Sequence, residues 1–195
     1  MPPKPQPRHP VQGTGRGAGA LLQFKLTLTG IRPPIWRRVL VPEGWLLSGL
    51  HDVIQAVMGW TDSHLHDFHW REERFGIPDP KFDEERMVDE RTVTLKELGL
   101  SIKDRLEYMY DFGDEWEHVL TLEKVLEAGE HQTPVCLKGA RSCPPEDCGG
   151  AWGTRIFWRF SRTRHTRSTS NGRRGCPRTS TPNSVISRKS TARCR

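Results

Sequence analysis

Every one of the 24 Asp and Glu residues in this 195-residue chain lies between Glu43 and Asp147. The last 42 residues, Thr154 to Arg195, hold none, yet they hold 12 of the 30 Lys and Arg. Residues 1–153 therefore carry a formal charge of −6 and the tail +12, and the overall +6 describes neither part. A cationic segment without an apolar period cannot bury enough surface to offset the entropy of ordering it. The chain divides into an acidic body able to fold and a basic tail that is not. Its basic pI is a property of the tail and not of the fold.

The body has a boundary on its other side as well. Residues 1–20 contain five Pro, frequent Gly and no periodicity, and read as a disordered leader. Residues 21–153 supply about 130 residues, near the commonest size of a single domain. The tail, residues 154–195, is expected to be disordered. No apolar run approaches the ~20 residues that span a bilayer, and the leader has no signal-peptide core. The expectation is a cytoplasmic protein with no membrane attachment. Five Cys, an odd number without secretory features, argue against a disulfide framework.

Within the body, Leu22, Phe24, Leu26 and Leu28 alternate with polar residues, the pattern of a half-buried strand. Gly30 and Pro33-Pro34 break it, and alternation resumes over Ile35–Val41 as a hairpin-like return. Leu47, Leu50, Ile54, Val57 and Met58 form an apolar stripe at helical spacing, with Ser48 as cap, Asp52 favouring the N-terminal dipole and Gly59 as stop. His64–Arg71 reads as a strand, Ile77–Glu90 as a charged surface loop, and Thr92–Leu95 as a short strand or helix entry. Arg105–Tyr110 and Glu117–Leu126 read as two strands about Phe112-Gly113-Asp114, where Gly permits the positive φ of a tight turn. The order β-β-α-β-(β)-β-β with one main helix argues an α+β single domain built on a largely antiparallel sheet.

Three groups of residues carry chemistry. In His64-Leu65-His66-Asp67-Phe68-His69, a strand places His64, His66 and Phe68 on one face, so two imidazoles could chelate a metal, although packing and hydrogen bonding at a sheet edge is the favoured reading. Around the turn, Asp111 and His118 could face each other as an acid/base pair. The bland alternative has Asp111 and Asp114 bonding turn amides while Tyr110 and Trp116 pack as a cross-strand pair. Cys136, Cys143 and Cys148, the last two flanking a Pro-Pro turn, could hold a structural zinc ion with a distant His, or be reduced buried thiols. No other cofactor is assignable. In the tail, Trp158 and Phe160 among Arg155, Arg159, Arg162 and Arg164 could bind nucleic acid, but only non-specifically.

Five motifs then occur in order: Ile35-Trp36-Arg37-Arg38; Leu50-His51 with Ile54-Gln55 and Gly59-Trp60; His64-Leu65-His66 with Phe68; Tyr110-Asp111-Phe112-Gly113-Asp114 with Trp116 and His118; and Cys143-Pro144-Pro145-Glu146-Asp147-Cys148-Gly149-Gly150. Together they resemble the plasmid pRiA4b ORF-3-like family over about Leu22 to Gly153. Members of that family are often labelled TnpR-like passenger proteins of insertion elements. The resemblance implies an α+β domain associated with mobile elements, with no agreed activity and no catalytic residues to carry over. It also implies an acidic, helical C-terminus after Cys-Gly-Gly-x-Trp-Gly, where this chain turns to Arg, Ser and Thr. Reading the last base of each codon with the first two of the next lets Thr154–Gly172 spell YEDFLEVLADPAHEEHEQW. The expectation is a one-base frameshift at or just after Gly153, leaving an apolar face uncovered and the chain poorly soluble.

The functional expectation is a non-enzymatic accessory or interaction module carried by mobile elements. The alternatives are a metal-dependent enzyme or zinc-stabilised domain using the His, Asp and Cys residues, and a nucleic-acid-binding accessory protein, which the acidic body disfavours. None of these fixes a reaction or a partner.

Overall fold

The computed structural model describes residues 19–79, 87–128, 133–155 and 184–185. The expected disordered leader lies outside these residues except for Gly19 and Ala20, the latter already in β1, and of the basic tail only Thr154, Arg155, Ser184 and Val185 are described.

The first alternating run forms β1 (Ala20–Leu28), which buries Leu22, Phe24, Leu26 and Leu28. Its return forms β2 (Ile35–Pro42), antiparallel to β1 with Leu28 opposite Ile35 and Leu22 opposite Val41. The helix α1 spans Leu47–Met58 and shares one hydrophobic core with the strands. Four strands follow the helix in sequence: β3 (His66–Trp70), β4 (Glu73–Gly76), β5 (Val88–Asp89) and β6 (Arg105–Tyr110). The long β7 (Trp116–Glu127) and β8 (Val135–Ala140) complete the main sheet, and β9 (Ser184–Val185) adds two residues at its edge. The strand order is β5-β4-β3-β6-β7-β1-β2-β8-β9. All neighbours are antiparallel except β4 and β5. This is the expected α+β domain with a largely antiparallel sheet and one main helix. Among the described residues no helix is long and apolar enough to cross a membrane.

The core gathers Phe24, Leu26, Ile35, Leu50, Phe68 and Leu120, each at most 1 % exposed. Side chains of this size contribute about 1.5–3 kcal/mol each when fully buried. Tyr110 and Trp116 pair directly across the β6–β7 hairpin, as the alternation predicted.

Several local expectations need correction. The residue capping α1 is Leu46 rather than Ser48, no side chain caps it, and no acidic residue lies in its first turn. The amides of Leu47 and Ser48 instead donate to the backbone carbonyls of Val93 and Glu90, so a neighbouring loop satisfies the helix end. At the other end Gly59 does take φ +81° and donates to Gln55, as a left-handed stop requires. In the hairpin the positive φ falls on Asp111 (57°) and Glu115 (52°), and Gly113 is not among the positive-φ residues. The Asp111 carboxylate accepts the amides of Gly113 and Asp114 at 3.0 and 3.3 Å, holding Asp111 in that conformation. The charged stretch read as one surface loop contains β5, and the segment read for its cysteine contains β8.

Candidate functional site

The connection from α1 to β3, residues 59–65, lies between two clusters of polar side chains. It begins at the stop provided by Gly59 and ends where β3 enters the sheet beside β6. On the side facing α1, His51 is fully buried and lies face to face with His66, ring centres 3.5 Å apart and planes 7° from parallel. His51 occupies the position one residue after Leu50 on the inward stripe, where an apolar side chain would be the default.

The hydrogen bonds around His51 close on themselves. The Asp62 amide donates to Gln55 Oε1 at 3.1 Å, and Gln55 Nε2 donates to Tyr108 Oη at 3.1 Å. Tyr108 Oη and His51 Nδ1 are 2.8 Å apart, and His51 Nε2 and Asp62 Oδ1 are 2.9 Å apart. The Asp62 backbone N–H can only donate, so it fixes which end of the Gln55 amide is oxygen. Burial holds the Tyr108 phenol well above its ordinary pKa, so it keeps its proton and donates to His51 Nδ1. With Nδ1 accepting from Tyr108, the Nε2 side of the ring faces Asp62 Oδ1 as the donor. All four links thus run in one direction.

His66 has a separate partner. Its Nε2 lies 2.8 Å from Glu90 Oε2, and Glu90 is wholly buried. Glu90 is placed by its own backbone, its amide donating to Gly76 and its carbonyl accepting from Ser48. Glu90 Oε1 has no hydrogen-bond partner among the described residues.

A second group lies on the outer side of the same loop. His64 Nε2 stands 3.1 Å from Asp147 Oδ1, close enough for an ion pair but not aligned as a hydrogen bond. His64 Nδ1 is 3.6 Å from Asp111 Oδ2. The Cys-Pro-Pro-Glu-Asp-Cys segment closes over this loop through oxygen rather than sulfur. Glu146 accepts the Thr61 amide and hydroxyl at 3.0 and 2.7 Å and the Tyr110 hydroxyl at 2.5 Å. Trp60 Nε1 donates to the Pro144 carbonyl at 2.9 Å. Burial and the Glu146 carboxylate both hold the Tyr110 phenol in its protonated form.

The arrangement is that of a family. A model of the family described as "Plasmid pRiA4b ORF-3-like protein" matches residues 20–173. The chain belongs to this family. The uncharacterised protein y4hQ of Sinorhizobium fredii (strain NBRC 101917 / NGR234) is 39 % identical over 138 residues, which is 71 % of this chain and 71 % of that protein. A crystal structure of the protein of unknown function MM3350 from Methanosarcina mazei Go1 is similar at a TM-score of 0.69 and 34 % identity, over 76 % of this chain and 84 % of that one. These relatives are of unknown function, so family membership assigns no reaction to this member.

The residues singled out in the sequence do not converge. Asp111 is brought to His64 and the turn amides, not to His118. His118 lies inside the core, where Nδ1 is 2.8 Å from the Trp116 carbonyl and the ring meets Trp60 edge-on. Burial pushes its pKa down to about 4, so the ring is neutral at physiological pH. His66 faces the same side as Phe68, as strand alternation requires, but its partners are Glu90 and His51. Cys136 is buried in β8 and disulfide-bonded. Cys143 and Cys148 are free thiols. Cys143 Sγ receives Arg37 Nη2 at 2.9 Å, while Cys148 Sγ is 3.5 Å from Thr154 Oγ1. Burial raises the Cys143 pKa despite the nearby guanidinium, which favours the thiol. Among the described residues, ligand atoms gather within 4.8 Å in two groups, His51–Asp62–His66 and His64–Asp111–Asp147, and neither contains a cysteine.

Proposed function

We propose that this member of the family is a non-enzymatic accessory or interaction domain carried by mobile elements and working in the cytoplasm. The observation that supports a non-catalytic reading is the separation of the three acid/base candidates. Asp111 is spent on turn amides, His118 is enclosed by Trp60, Trp116 and Tyr108, and His66 is paired with a buried carboxylate. A general acid/base pair needs both groups within reach of one substrate proton, in an accessible site. The test is the transposition frequency of the host element with and without the chain, repeated with Asp111→Asn and His118→Phe. The expected outcome is a dependence on the chain that both variants retain once their folding is verified by circular dichroism. Loss of the effect in a variant that melts like the parent contradicts the reading.

We further propose that residues from Thr154 onward are translated out of register. Leu65, Phe112 and Trp152 are 69, 48 and 72 % exposed around the end of the β6–β7 hairpin, where the chain leaves the sheet. Those side chains are the apolar surface that an amphipathic segment beginning at residue 154 would cover. Restoring the shifted frame is expected to raise soluble yield and sharpen thermal unfolding. Equal solubility and equal melting of the two versions would count against it.

A further inference from the structure

We propose that His51, Asp62, His66 and Glu90 form a site for one zinc-class divalent transition ion. The ligand atoms come from three separated parts of the fold: α1, the loop that follows it together with the start of β3, and the backbone after β5. Ligand atoms of His51, Asp62 and His66 already lie within 4.8 Å of one another. Glu90 Oε2 is 2.8 Å from His66 Nε2. Tetrahedral zinc bonds of about 2.0–2.1 Å set ligand atoms roughly 3.3 Å apart. Glu90 stands outside that group of three and joins it only through His66, so its carboxylate must swing toward the ion on binding.

Glu90 is the independent reason to read this as a ligand site. Its carboxylate is wholly buried, and Oε1 has no hydrogen-bond partner among the described residues. A buried carboxylate with half its acceptor capacity unused is costly, and a cation bound there relieves that cost. Two carboxylates, two neutral imidazoles and one divalent ion also sum to zero charge inside the fold. Imidazole with carboxylate suits zinc, iron or manganese and discriminates against magnesium. The hydrogen-bonded surround of Tyr108 and Gln55 supplies an outer shell that orients His51.

Binding has a definite structural signature. Two imidazoles on one tetrahedral ion hold their ring centres about 5 Å apart, whereas these rings stack at 3.5 Å. The ion must open the stack, and the His51 proton must move from Nε2 to Nδ1, reversing its bond with Tyr108.

The full chain, stripped with chelator, is titrated with zinc, cobalt(II) or magnesium alone. One zinc per chain is expected, with a rise of about 5–10 °C in melting temperature at a hundredfold excess over Kd and no response to magnesium. Cobalt is expected to give visible d–d bands without the near-ultraviolet thiolate band. Glu90→Gln is expected to weaken zinc at least tenfold, while joint Cys143→Ser and Cys148→Ser leave it unchanged. No stoichiometric binding with an unmoved melting temperature overturns the inference. So does a thiolate band, which needs no variant to fold, or loss of zinc in the cysteine variant. Any of these failures leaves the non-enzymatic reading standing.

Discussion

Replacing Tyr108 by Phe removes one oxygen from a closed ring of hydrogen bonds and nothing from the packing around it. Tyr108 Oη serves two partners, His51 Nδ1 at 2.8 Å and Gln55 Nε2 at 3.1 Å. His51 is fully buried and Gln55 is 5 % exposed, so neither group is replaced by water when the oxygen goes. Each orphaned group costs about 1–3 kcal/mol, and the Gln55 amide can relax partway, so the expected loss is about 2–4 kcal/mol. That is a large share of the 5–15 kcal/mol typical of a domain. Urea unfolding should show a midpoint lowered by about 1–2 M with an unchanged slope. His51→Leu in the Tyr108→Phe background should cost less than in the parent, because the ring is already broken, giving a coupling of about 1–3 kcal/mol. A single-variant loss below about 1 kcal/mol, or an additive cycle, would refute the closed-ring account.

Three further outcomes follow from the same coordinates. His118 is held neutral by burial at a pKa of about 4, below the ordinary 6.5. Between pH 6.5 and 4 the unfolded chain takes up a proton that the folded chain refuses, so stability falls as pH falls through that window by up to about 3 kcal/mol. Urea titrations at pH 7 and 5 should show His118→Phe losing less stability on acidification than the parent, and equal losses contradict the assignment. Gly139→Ala would set a new Cβ 2.7 Å from Arg37 Cδ, and Arg37 is buried with its guanidinium bonded to the Val57, Trp36 and Ala140 carbonyls. A cost of about 1–3 kcal/mol is expected in thermal unfolding, and an unmoved midpoint would show that the guanidinium gives way freely. Glu146→Gln turns one acceptor into a donor, and because both oxygens are used, faster hydrogen exchange at the Thr61 amide is expected. Unchanged exchange would mean that the loop is held by other contacts.

The parts of the fold that were legible in the sequence are those whose signal is local. Leu22 to Leu28 and Ile35 to Val41 alternate, and they form the central β1–β2 pair. Tyr110 and Trp116 flank a short turn and face each other as cross-strand neighbours. The α1 stripe and its Gly59 stop were equally plain. The helix start was misread because its amides are met by the backbone of residues 90 and 93, a long-range partner that no nearby Ser reveals. β8 was masked by attention to Cys136, and β4 and β5 are too short to show a period of two. The cluster about His66 was missed for the same reason as the helix start. Glu90 is 24 residues away in a stretch read as loop, and Asp62 sits in a turn. One signal was available: His51 lies on the buried side of an otherwise apolar helix stripe, where an imidazole needs a polar partner. In the Cys-Pro-Pro segment the contacts with the loop come from Glu146, Asp147 and the Pro144 carbonyl rather than from the sulfurs.

The proposed frameshift puts the break at or just after Gly153, with the basic residues beyond it read from another frame. The coding DNA across that codon tests this most directly. The expected result is that a one-base correction opens an uninterrupted acidic frame with apolar residues at helical spacing. An uncorrected frame that is intact in independent isolates, with the arginine-rich end preserved, would contradict it.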